Sequence, residues 1–343
     1  LEGGLNPRAF CTSTRVLIVA GKGGVGKTTV SAALARMASL AGLRTLLVEI
    51  EGRSGLPGLF GLGGALDYHE VVLSKAGDPA GAGEVRARTL TPDDALVEYL
   101  DDHGMRRISK RLSRTGMIDV VATAVPGIKD ILVLGKVKQL ERGGRGGEKL
   151  DPEEAGHLAD LIVVDAPAAG HAVTFLESAR GLLDAVRVGP IRGQAQEVAD
   201  LLRDPARTRV LLVTLPEETP VNELVETAYA LEDRVGVQLA PVVVNGVYPP
   251  LDGLEADPTD AARKEGIELD PAEADSLRAA AGFRLQRQLL QAEQMERLAT
   301  ALPLPQLRLP YVFADRLGRP ELDGLAAELA MAVEGLDDPA QVG

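Results

Sequence analysis

This chain has one cysteine, no tryptophan and no net positive charge, and each lack bears on what it can do. One cysteine, Cys11, among 343 residues cannot supply a disulfide framework, a structural zinc quartet or the ligands of an iron–sulfur cluster from one chain. Tryptophan is absent and aromatics reach only 3%, so the core has to be aliphatic, built from Leu, Val, Ile and Ala. A net charge of −13 argues against non-specific nucleic-acid binding, which needs a cationic surface to displace counterions, and disfavours a polybasic membrane anchor. No apolar run approaches the ~18–20 residues that span a bilayer. The opening LEGGLNPRAFCTST lacks the apolar stretch of a signal peptide. The expectation is a cytoplasmic protein with no transmembrane segment, with residues 1–14 a disordered tail and 337–343 a second short tail.

What is present is an alternating pattern. The runs RVLIVA (15–20), TLLVEI (45–50), LIVVDA (161–166), RVLLVTL (209–215) and PVVVNGV (241–247) are continuously apolar, as parallel strands are when helices cover both faces. LPQLRLP (304–310) is a candidate last strand. Helical periodicity fills 28–42, 172–186, 218–235 and 324–336. This alternation predicts an α/β fold, a doubly wound, mostly parallel sheet flanked by helices, over residues 15–336. Residues 92–142 carry helical periodicity without a convincing strand and predict a helical insertion. Its apolar residues (Leu96, Tyr99, Leu100, Met105, Ile108, Leu112, Met117 and Ile118) suit an ordinary subdomain, and a client groove only weakly, because the chain has just five methionines. Lys129, Lys136 and Lys138 in the same segment suggest an anion or a partner subunit. Residues 251–302 begin acidic and end in a long amphipathic helix.

The first strand runs into GKGGVGKTT (21–29). Strand, G-x-x-x-x-G-K-[ST], then helix is the phosphate-loop signature. Backbone N–H groups of Gly23, Gly24, Val25 and Gly26, with Thr29 behind them, would converge on phosphate oxygens at a helix N-terminus. Lys27 would bridge the β- and γ-phosphates of ATP, and the Thr28 hydroxyl would ligate Mg²⁺. LIVVDAP offers Asp165 either as the carboxylate on the Mg²⁺ water shell or as a loop cap. Beyond it, Gly170 has a backbone N–H suited to sensing the γ-phosphate, and His171 either relays that contact or caps the next helix.

With a second lysine, Lys22, KGGVGKTT resembles the deviant Walker A loop of the MinD/ParA and arsenite-pump ATPases. DAPAAGH, LPEETPVNELVETAYAL and VVVNGV are most similar to the arsenite-pump and tail-anchored-protein-targeting branch. LLVEIEGRSGLPGLFG and PGIKDILVLGKVKQ look like its actinobacterial anion-transporting ATPase members. The resemblance implies ATP or ADP with Mg²⁺, and a homodimer or a heterodimer with a paralogous ATPase, switching a protein client or an anion-related process. It implies that Lys22 crosses the dimer interface to the other subunit's nucleotide; a solvated loop lysine is the alternative. It further implies that Asn245 reads the adenine edge, unless it merely turns a loop, and that residues 310–316 pack on the base.

The chain also departs from that pattern. Where the branch has D-P-A-H-S-L-S-D, this chain has EGRSGLPG, which aligns Gly58 with the aspartate that orients the attacking water and Glu51 with the first aspartate. Glu49 and Glu51 end the strand much like the D-x-D of the MinD/ParA branch, so Glu51 is the candidate catalytic carboxylate. A single cysteine excludes a thiolate arsenite site, a CxxC zinc clasp and a nitrogenase-reductase cluster. The leading expectation is a dimeric ATP-hydrolysing switch. The alternatives are a regulatory subunit with little turnover, a MinD/ParA-type positioning ATPase, and a kinase or synthetase on the same scaffold.

Overall fold

The computed structural model describes residues 5–50, 55–102, 104–107, 127–143 and 159–336. After α1 (Pro7–Thr12) the chain runs β1 (Val16–Gly21), α2 (Lys27–Leu40), β2 (Thr45–Ile50), the single turn α3 (Leu56–Leu59), β3 (Val71–Ser74), β4 (Val85–Leu90), α4 (Pro92–Asp102) and α5 (Ile128–Glu141). The second half is β5 (Leu161–Ala168), α6 (Ala169–Ala185), α7 (Pro190–Arg203), β6 (Thr208–Thr214), α8 (Glu218–Ala230), β7 (Gln238–Leu239), β8 (Val242–Val247), α9 (Pro258–Lys264), α10 (Pro271–Ala301), β9 (Gln306–Pro310) and α11 (Arg319–Glu334).

The strands form one sheet in the order β3-β4-β2-β5-β1-β6-β8-β9, with β7 beside β6. Every pairing is parallel except β3 with β4. This is the doubly wound, helix-flanked sheet expected. All six residues of β1 are buried, because helices leave neither face of the central strand to water. Strand alternation sorts the core into two layers. Ile18, Val48 and Val164 pack with α5 and α6, while Val19, Leu47 and Val163 pack with α2 and α11. Chain crossovers leave β1 for β2 on one side and add β6, β8 and β9 on the other. The loop after β1 therefore opens at the reversal of strand order, where such sheets bind ligands.

Several expectations need correcting. Over residues 5–14 the expected disordered tail is instead a docked segment built on the helix Pro7–Thr12. Asn6 caps it by accepting from the Arg8 N–H at 2.8 Å, and Arg8 donates to the Ala41 carbonyl at 2.7 Å. Phe10 and Cys11 are buried beneath it, and that apolar anchor offsets the entropy of ordering a short segment. The expected insertion at 92–142 is helical at both described ends, but α5 is a core helix with Ile131, Leu132, Val133, Leu134 and Val137 buried. Lys136 and Lys138 are buried too, paired with Glu98 and Glu197, so neither faces an anion or a partner subunit. Ile108, Leu112, Met117 and Ile118 lie outside the described residues. Strands β3 and β4 and helix α7 were not anticipated. The arginines of VRARTL disguise β4: Arg86 pairs with Glu84 and Glu70 at the edge, and Arg88 stacks on the Tyr68 ring at 4.4 Å.

Burial pushes the Cys11 thiol up to about 12, and only the thiolate attacks disulfide reagents. A thiol reagent at mildly alkaline pH is expected to leave Cys11 unmodified in the native protein and to modify it after denaturation. Rapid stoichiometric labelling of the native protein would contradict the docked helix.

Candidate functional site

Two glycines fix where the phosphate loop can run. A Cβ on Gly21 would sit 2.3 Å from the Val213 carbonyl oxygen, so β1 and β6 close on each other only with hydrogen there. Gly26 has φ +88°, and a Cβ on it would lie 2.4 Å from Asn245 Nδ2. Between them, Val25 buries its side chain and its carbonyl accepts from Asn245 Nδ2 at 2.9 Å. Lys27 Nζ donates across the loop to the Lys22 carbonyl at 3.0 Å. Lys27, Thr28 and Thr29 form the first turn of α2, where the N–H groups have no intrahelical acceptor.

Asp165 closes the acidic side. Thr28 Oγ1 donates to its Oδ2 at 2.6 Å and Ser31 Oγ to its Oδ1 at 3.2 Å. The Thr28–Ser31 spacing of three puts both hydroxyls on one face of α2. Burial raises the Asp165 carboxyl above its ordinary range. The Thr28 hydrogen bond, the Lys27 charge and the Ser31 hydrogen bond oppose that rise, and the Glu49 charge adds to it. Burial likewise lowers the Lys27 ammonium, with Asp165 pulling the other way. Glu49 is in register with Asp165 across β2 and β5, is 4% exposed and accepts from Thr89 Oγ1 at 2.9 Å. These are oxygen donors, suited to a hard divalent cation that retains part of its water shell.

The structure thus gathers Lys27, Thr28, Asp165 and Asn245 around residues 21–29. The Lys22 ammonium meets Glu223 Oε1 on α8 at 2.5 Å, with both side chains nearly two-fifths exposed. Gly170 lies in the exposed first turn of α6, directly after β5. Glu51 lies outside the described residues. Gly58, on α3, helps line an open cavity of about 790 Å³ together with Thr28, Thr29, Leu59, Leu62 and Arg316. Sequence reasoning missed Ser31 and Glu223. The helical spacing from Thr28 would have found Ser31, whereas no local pattern marks Glu223. Among the described residues no group of three or more His, Cys, Asp or Glu could hold a metal, and no helix is long and apolar enough to cross a membrane.

A sequence profile of the anion-transporting ATPase family matches residues 14–188, from β1 through α6. The chain belongs to that family. It is 33% identical over 323 residues to ATPase BagA of Mycobacterium tuberculosis, a match covering 88% of each chain. It is 29% identical over 248 residues to an arsenical pump-driving ATPase of Escherichia coli, covering 68% of this chain and 39% of that one. Identity to ATPase get3 of Schizosaccharomyces pombe is 27% over 206 residues, or 57% of this chain and 54% of the relative. In this family member the loop and Asp165 fall inside the profile, whereas Glu223 and Asn245 lie beyond it.

Gly26→Ala forces a side chain into the left-handed region and against Asn245. It is expected to cost about 1–2 kcal/mol of stability, measured by denaturant titration. Adding Asn245→Ala should recover only the steric part. Wild-type stability in Gly26→Ala would contradict the loop geometry.

Proposed function

We propose that the chain binds ATP with Mg²⁺ and hydrolyses it as a two-subunit switch. The observation that carries this reading is the Thr28–Asp165 hydrogen bond at the mouth of the loop, which brings a hydroxyl and a buried carboxylate to the point where the loop would deliver phosphates. Thr28 and Asp165 would hold Mg²⁺, which when bound neutralises charge on the β- and γ-phosphate oxygens. The N–H groups of residues 23–29 orient the phosphate chain. Lys27 turns from the Lys22 carbonyl to a phosphate oxygen, a short move for a side chain already folded across the loop. Gly170, in the turn after β5, offers a backbone N–H to the γ-phosphate. Asn245 keeps the loop in shape through Val25 and presents its amide to the adenine edge.

For Lys22 to stabilise charge on a partner subunit's nucleotide, it must leave Glu223. Both groups are partly exposed, so their ion pair contributes little and nucleotide charge can displace it. Glu51 is the carboxylate assigned to orienting water. Gly58 favours a second reading, a nucleotide-binding regulatory subunit with slow turnover, because the cavity wall there has no side chain where the resemblance implies an aspartate. Which client, partner or anion-related process the switch serves is a matter of family kinship with proteins named as arsenical pump-driving ATPases.

Phosphate release from ATP by the purified chain tests the proposal. Lys27→Ala should abolish nucleotide binding and release together. Lys22→Ala should keep binding and lower release by roughly 100-fold, the scale of losing one transition-state charge donor. Undiminished release in Lys22→Ala would refute the cross-subunit role, and Mg²⁺-independent release would refute the metal assignment.

A further inference from the structure

Helix α10 is packed at one end and bare at the other. Its carboxyl-terminal part lies against α8 and β8, with Gln291, Gln294 and Leu298 buried. Over the described residues 271–290 only Ala274 is buried, and the adjoining α9 buries none of its residues. That bare half carries a capping box between Asp270 and Glu273. Arg278 adds pairs with Asp257 and Asp275 at 3.2 and 2.6 Å, exposed contacts that contribute little. Yet Leu277 and Phe283 stand 48% and 62% exposed, and exposed apolar groups gathered on one helix face mark a surface that another molecule covers.

Helical geometry shows which face is bare. At 3.6 residues per turn, Glu273, Leu277, Ala280, Phe283, Arg284 and Arg287 all lie within about 60° of the Ala280 direction. Gln291, Gln294 and Leu298 lie on that same stripe, so the stripe that meets the core runs on past the body of the protein. Arg284 rests over the Tyr248 and Phe313 rings at 4.3 and 5.1 Å, and beyond it Ala280, Leu277 and Glu273 are exposed.

The stripe is complementary to itself. Leu277 and Phe283 flank Ala280 at equal spacing, and Glu273 and Arg287 flank it further out, again at equal spacing. A two-fold axis at Ala280 relating two antiparallel helices sets Leu277 of each copy against Phe283 of the other, and Glu273 against Arg287. The small Ala280 side chain at the axis lets the helices approach to the usual separation of about 8–10 Å. A parallel pair would instead face Glu273 with Glu273 and Arg287 with Arg287, and like charges oppose association. Arg287 also pairs with Glu217 at 3.0 Å, but both groups are partly exposed and a guanidinium has five N–H donors.

We infer that α10 is the contact through which two copies of this chain pair antiparallel about Ala280, with or without nucleotide. The seam gives the proposed switch two subunits that stay together between nucleotide-binding events, and its existence does not depend on the ATP reading.

Sedimentation equilibrium of the full chain, without nucleotide and in EDTA, tests the pairing. The expected mass is twice the 36.1 kDa of one chain. Ala280→Arg sets two like charges at the axis and should weaken association roughly 100-fold. Glu273→Arg and Arg287→Glu should each weaken it roughly tenfold or more. Mixed together they should recover the dimer, because opposite charges then meet at both ends of the seam. Leu289→Asp, on the opposite face of α10, should leave the mass unchanged. A monomeric wild-type chain would overturn the inference while leaving ATP binding, measured separately, intact. A dimer indifferent to Ala280→Arg would overturn it too, as would charge variants that fail to recombine. Where Ala280→Arg does not fold, the mixing experiment decides.

Discussion

The hydrogen bond from Thr28 to Asp165 joins the first turn of α2 to the end of β5, and the rest of the site is arranged around it. Asp165 can be buried because β1, β5 and β2 run parallel and in register, which brings their carboxyl ends to one level. α2 can present Thr28 and Ser31 to it because Gly21 lets β1 approach β6, and Gly26 turns the chain into the helix. The helix is itself fixed from the far side: Arg36 is buried and donates to Asp323 of α11 at 2.6 Å and to the Asp78 carbonyl at 3.0 Å.

Burial works in opposite directions on the two charges at the loop, and that opposition defines its chemistry. It makes the charged form of Asp165 harder to keep and the charged form of Lys27 easier to lose. Asp165 offsets the cost at Lys27, while Asp165 itself is held first by the Thr28 hydrogen bond and then by the Lys27 charge. A phosphate chain accompanied by a divalent cation would satisfy both at once, with anionic oxygens for Lys27 and positive charge for Asp165. Family membership accords with that arrangement, since the relatives are named as ATPases.

Much of this was legible in the sequence because it rests on short-range signals. GKGGVGKTT after an apolar run gave the loop, LIVVDAP gave Asp165, and six apolar runs gave six of the strands. The unread parts depend on tertiary placement. β4 carries two arginines whose charges are absorbed by Glu84, Glu70 and the Tyr68 ring, so its hydrophobic pattern is broken. α5 reads as part of an insertion because 92–142 has helical periodicity without a convincing strand, and its lysines suggest an anion or a partner subunit, yet Glu98 and Glu197 meet Lys136 and Lys138 in the interior. Phe10 and Cys11 turn an unremarkable leader into a docked helix. Glu223 is two hundred residues from Lys22, a distance that no local pattern can bridge.

Hydrogen–deuterium exchange of the full chain, with and without ATP analogue and Mg²⁺, tests the central claim most directly. The account predicts added protection concentrated in residues 21–31 and 163–171, dependent on Mg²⁺ and absent in Asp165→Asn. Protection that ignores Mg²⁺, or that persists unchanged in Asp165→Asn, would contradict a site built on the Thr28–Asp165 contact.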